Sequence, residues 1–128
     1  MREILFRGKR LCNNKWMFGN LLCYFDGDRY ICCDNFNGGH NHYRVDPETV
    51  GQFTGLLDKN GYEIFEGDIV KYYHGKTNCD VMMVAWYKES AHFVLTFSDE
   101  FYYCEHLMNS HIYCEVIGNI HDNPELLG

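Results

Sequence analysis

The stretch that decides the fold is VGQFTGLLDKNGYEIFEGDIV, residues Val50 to Val70. It holds four of the chain's twelve glycines, several acids and an apolar exit, so it is either a loop that cradles a ligand or a piece of scaffold. Asp58-Lys59-Asn60-Gly61 has the chemistry of a tight turn. The Asp side chain accepts a backbone N–H further along, and Asn-Gly tolerates the left-handed angles of a hairpin. Leu56-Leu57 and Tyr62 to Phe65 are then predicted to pair as short strands. Glu66-Gly67-Asp68 is a second tight turn, entering the strand Ile69-Val70-Lys71-Tyr72. Gly51 and Gly55 lack phosphate-binding spacing: no Lys-Ser/Thr follows, and no helix starts where a phosphate would need its N-terminus. Asp58, Glu63, Glu66 and Asp68 are expected to cap backbone and face solvent rather than hold a metal or share a proton. The stretch reads as scaffold.

Outward from it, the chain is strand-like. "EILFRGK" (3–9) and "KWMFGNLLCYF" (15–25) are predicted strands separated by a polar turn at Cys12-Asn13-Asn14. The Asp-Gly pair in "DGD" (26–28) signals a hairpin leading to "RYICCD" (29–34). "NFNGGHNH" (35–42) is a predicted loop. In "DPETV", Asp46 caps one helical turn, with Pro47 at its first position. Downstream, "DIVKYYH", "CDVMMVAWYK", "AHFVLTFS" and "IYCEVIGNI" are β-like, several too uniformly apolar to have one wet face. "GKTN" (75–78) and "KES" (88–90) supply turns, and "DEFYYCEHLMNS" (99–110) suits a short helix or a strand equally. "NPELL" ends the chain as one helical turn capped by Asn123, with Pro124 following. Short strands with Gly/Asn/Asp turns between them predict a mainly β fold with few short helical turns. The expected form is a small SH3-like barrel over roughly 62–121 with an N-terminal β-meander packed on it. The chain is expected to be a single domain, 1–128, with sub-units at about 1–49 and 50–128.

Composition agrees with a folded β protein: 128 residues, 46 % apolar and 16 % aromatic, with only two prolines. The net charge is -7 and unevenly spread. Residues 1–16 carry five basic side chains against one acid, whereas the other 112 residues carry six basic and 17 acidic ones. Such a body repels phosphate backbones unless the basic N-terminal edge acts locally. The charged start "MREILFRGKR" has no secretory pattern, and no apolar run approaches the roughly 20 residues a membrane span needs. Seven cysteines, two of them adjacent, argue against a disulfide framework and for reduced, strand-compatible side chains. A cytoplasmic location in a bacterial host, and no membrane association, is the expectation.

Three constellations carry possible chemistry. The run Arg7-Gly8-Lys9-Arg10, followed by Trp16 and Phe18, interleaves cations and aromatics as a nucleic-acid surface does; an exposed hairpin end with solubilising charges explains it more simply. Cys32, Cys33, His40 and His42 offer zinc-type ligands, and His-x-His on an extended segment points two rings the same way. Adjacent cysteines on a strand point apart, however, and no Cys-x-x-Cys is present. Cys104, His106, His111 and Cys114 form a second set of unspecific spacing. No nucleophile signature appears, so no catalytic residue and no cofactor is assigned.

The blocks "VDPETVGQFTGLLDKNGYEIFEGDIV" and "EVIGNIHDNPELL", with the opening "REILFRGKR" and the W-x-x-G from Trp16 to Gly19, resemble the YopX family of phage and prophage proteins. The resemblance runs from residue 2 to 127 and is strongest over 45–70 and 115–127. Its signature positions here are Gly51, Gly55, Asp58, Asn60, Gly61, Glu66, Gly67, Asp68, Gly118, Asn119, Asn123 and Pro124. It implies a β-rich, phage-associated, intracellular protein and no particular reaction. The expected function is that of a non-enzymatic accessory protein that binds a protein partner. The alternatives are a nucleic-acid-binding module using Arg7, Lys9, Arg10 and Trp16, or a metal-binding protein using Cys32, His40 and His42. Unpaired aromatic edge strands would also allow self-association.

Overall fold

A computed structural model describes residues 1–35, 37–97 and 104–128. It is mainly β, in antiparallel strands, and divides into two compact units, Met1–Phe53 and Thr54–Gly128.

The first unit is a meander of β1 (Phe6–Lys9), β2 (Trp16–Cys23), β3 (Arg29–Asp34) and β4 (His40–Val45). The start of β5 (Gly51–Leu57) returns to the free side of β1, pairing Arg7 with Gly51 and Phe6 with Gln52. Ile31, Val45 and Phe53 form its buried centre. The predicted loop over 35–42 is shorter than expected. His40 to Val45 pair residue by residue with Asp34 to Arg29, so the ladder extends through His40 and His42. Asn35 makes this possible: its Oδ1 accepts the N–H groups of Asn37 and Gly39 and closes the turn tightly. The Asp46 cap is as expected, with its Oδ1 accepting the Glu48 N–H at 3.1 Å and Pro47 leading the 3-10 turn Pro47–Thr49.

In the second unit the end of β5 pairs with β6 (Glu63–Phe65). A five-stranded sheet follows, in the order β10-β9-β8-β7-β11. Its strands are β7 (Asp68–His74), β8 (Asn78–Tyr87), β9 (His92–Thr96), β10 (Cys104–His106) and β11 (Cys114–Asn119). Between β10 and β11 lie the single turn α1 (Leu107–Ser110) and a 3-10 turn, His111–Tyr113. Residues 99–103 of the ambiguous segment lie outside the described residues; the rest is strand, then helix. β8 is covered on both faces, as its uniform hydrophobicity predicts. Met82 and Val84 join Ile64, Val70, Leu95, Leu107 and Cys114 in one cluster, while Met83 and Ala85 meet Val94 in another, against which Ile120 and Leu127 pack. The expected closed barrel is not what the strand pairing gives: among the described residues the five-stranded sheet does not close, because β10 and β11 are its outer strands.

Candidate functional site

The acids of the signature stretch are joints. Asp58 is buried, and its Oδ1 accepts the N–H groups of Asn60 at 2.8 Å and Tyr62 at 2.9 Å, holding the turn that ends in Gly61. Its Oδ2 accepts the Val116 N–H at 3.0 Å, on the outer side of β11. The neighbouring Lys59 N–H donates to the Cys114 carbonyl, so the turn covers that edge strand. Burial, then the Asp58 carboxylate, push the Cys114 thiol up to about 12. Asp68, also buried, takes the Phe65 N–H at 2.7 Å across the Glu66-Gly67 turn. Gly67 sits at φ +91°, a left-handed angle that suits glycine, and ties β8 to the chain after β11 through Val84 and Ile120. Gly51 is buried and pairs with Arg7, and Gly55 and Gly61 have φ of +85° and +86°.

The C-terminal signature is a second joint. Asn119 Oδ1 accepts the N–H groups of His121 and Asp122, while Asn123 Oδ1 accepts the Asn119 N–H at 3.2 Å. A Cβ on Gly118 would lie 2.5 Å from that Asn123 oxygen, so any other residue there would push the Asn123 side chain off the Asn119 N–H. The 3-10 turn begins at Pro124 as predicted, but Asn123 does not cap it with its side chain; the amide is turned back to Asn119.

The basic N-terminal edge is organised by aromatic rings. Arg7 and Lys9 project from the same face of β1 over Trp16, at 4.7 and 5.8 Å from the ring centre, and Arg10 lies 4.7 Å over Tyr43. Arg7 is buried, whereas Lys9 and Arg10 are half-exposed. Arg10, Tyr43 and Arg44 line a shallow cavity of about 420 Å³ with Leu11, Cys12 and His42. Arg44 pairs with Asp28 at 3.0 Å.

Cys32 stands opposite His42 in the ladder and Asp34 opposite His40, whose Nδ1 lies 2.7 Å from the Asp34 carboxylate. Cys33 points away and donates to the Phe18 carbonyl. In the second unit the His106 ring stacks on His92, His111 Nδ1 donates to the Leu57 carbonyl at 2.7 Å, and the Cys114 thiol donates to Ser110. Among the described residues no three His, Cys, Asp or Glu side chains gather as a metal site would need.

A larger concave surface than the one beside Arg10 lies in the second unit. It has a volume of about 780 Å³ and is lined by Lys59, Tyr72, Tyr73, His74, Gly75, Lys76, Ile112 and Tyr113. Lys59 Nζ lies 4.4 Å over the Tyr73 ring, and the Tyr73 hydroxyl donates to Glu115 at 3.1 Å. Its wall, the 3-10 turn, exposes Ile112 (56 %) and Tyr113 (52 %), and one helical turn earlier Met108 is 72 % exposed. No sequence expectation points to this groove, because it joins three separate segments. The legible signal is "KYYHGK" (71–76), which interleaves cations and aromatics as the N-terminal edge does.

No helix among the described residues is long and apolar enough to cross a membrane. No curated protein matches the chain. Among solved structures it is similar to protein EF1440 from Enterococcus faecalis, at 26 % identity over 100 % of both chains with a TM-score of 0.58. The model of the YopX protein family matches residues 5–128, across both units. With the signature acids and glycines placed at the joints of the fold, the chain belongs to the YopX protein family.

Proposed function

We propose that this is a non-enzymatic phage or prophage accessory protein that acts in the cytoplasm of a bacterial host by binding a partner protein. One observation carries the reading: Ile112 and Tyr113 expose large apolar side chains in the wall of a groove of about 780 Å³, and Met108 does so one helical turn earlier in the chain. Contiguous exposed apolar surface marks interaction sites, and Met and aromatic residues are enriched at them. Family membership over both units supports treating the chain as one functional domain. An SH3-like second unit is the finer fold reading, supported by the order β10-β9-β8-β7-β11 with a helical turn before the last strand. The test is capture from host lysate by the immobilised full chain and by a Met108→Glu/Ile112→Glu variant. The reading expects a protein retained by the first and lost from the second. Equal retention by both, or none above a charge-matched control, contradicts it.

A second reading, nucleic-acid binding at the N-terminal edge, is favoured by Lys9 and Arg10 lying over Trp16 and Tyr43. Arg7 is buried, so its removal would test folding; Lys9→Ala with Arg10→Ala tests binding. This reading requires a gel shift at low salt that fades steeply as salt rises.

A further inference from the structure

We propose that the groove between Lys59 and Lys76 takes an acidic peptide segment bearing a large apolar side chain, an inference that rests on the protein-binding reading above. The charge pattern comes first. The chain has 18 acids against 11 bases, yet the groove lining holds two lysines and no carboxylate. Two carboxylates are tied to side chains of the lining: Glu115 accepts from the Tyr73 hydroxyl at 3.1 Å, and Asp80 lies 2.6 Å from His74 Nε2. Both lysines are exposed, and Lys76 makes no ion pair among the described residues. An ammonium has three donors, so Lys59 can hold a carboxylate while resting on the Tyr73 ring. The second unit carries four bases against twelve acids, so an acidic ligand is repelled by most of that unit's surface and attracted at this pair of lysines.

The shape of the wall selects the second feature. Ile112 and Tyr113 present aliphatic and aromatic surface to the space between the cations, suiting an apolar anchor flanked by carboxylates. A nucleic-acid strand fits less well. It needs a longer row of cations than two lysines, and its phosphates meet the acidic body beyond them.

Fluorescence anisotropy with the full chain and a labelled random copolymer of glutamate and tyrosine tests this. The copolymer should bind, more tightly than polyglutamate and than a lysine–tyrosine copolymer. Binding should weaken at least about tenfold in a Lys59→Glu/Lys76→Glu variant. These lysines are exposed, so the variant should keep the parent's urea midpoint. Absence of copolymer binding, equal binding by the variant, or tighter binding of oligothymidylate would overturn the proposal. A lysate partner that the wild type captures and the lysine variant retains would sink the acidic-peptide groove while leaving partner binding standing. Retention by the Met108→Glu/Ile112→Glu variant would instead remove the underlying reading.

Discussion

The Asp58 carboxylate accepts the Val116 N–H at 3.0 Å across 58 positions of sequence. One side chain therefore closes its own turn and covers the outer edge of β11. Removing a partner from a buried hydrogen bond costs about 1–3 kcal/mol for each group left unsatisfied. Asp58→Ala strands three backbone N–H groups and should lower the urea midpoint strongly without changing the slope. Asp58→Asn keeps one carbonyl oxygen and should lose less. A parent-like midpoint for the alanine variant would show that the turn holds without its carboxylate.

Gly118 and Asn123 form a pair that a double-mutant cycle can read. Gly118→Ala places a methyl 2.5 Å from Asn123 Oδ1 and should cost about 1–3 kcal/mol, the usual range for overpacking. In the background of Asn123→Ala the 2.5 Å contact is gone and only the approach to the Asn123 Cβ at 3.1 Å remains, so the added cost should shrink; additive effects would contradict the contact.

Cys114 should be chemically silent in the folded chain. It is fully buried with its thiol pushed up to about 12, whereas Cys12, Cys23 and Cys79 are exposed. Mass-spectrometric mapping after brief alkylation should find the exposed three modified and Cys114 modified only after denaturation. The same shift gives an alkaline signature. The unfolded thiol ionises near 9.0, while the folded one keeps its proton to about 12. Its contribution is therefore whole below pH 9 and declines as pH rises from 9 toward 12. Burial and the Glu115 hydrogen bond also raise the Tyr73 phenol, which acts in the same direction. Cys114→Ala should flatten the fall in urea midpoint over that window; an unchanged slope would contradict it.

What the sequence made legible follows from locality. The Asp58 turn, the Asp46 cap and the Glu66-Gly67-Asp68 turn are set by residues within four positions of one another, and each forms as predicted, except that Asp58 and Asp68, expected to face solvent, are buried by the strands their carboxylates join. His40 was hidden because the Asn35 turn that brings it into the ladder competes with the loop its glycines suggest. The role of Asp58 on Val116 was equally hidden, since no local pattern encodes a contact between the middle and the end of the chain. The groove failed to show for the same reason: Lys59, Lys76 and Ile112 meet only through the fold.

The central claim is that the signature residues build the scaffold while binding resides on the exposed surface around Ile112. Side-by-side capture by the Met108→Glu/Ile112→Glu and Asp58→Asn variants, under conditions where circular dichroism shows both folded, tests it most directly. The account predicts that the surface variant keeps its urea midpoint and loses the partner, whereas Asp58→Asn loses stability and keeps the partner. Partner loss in Asp58→Asn with retention by the surface variant would contradict it.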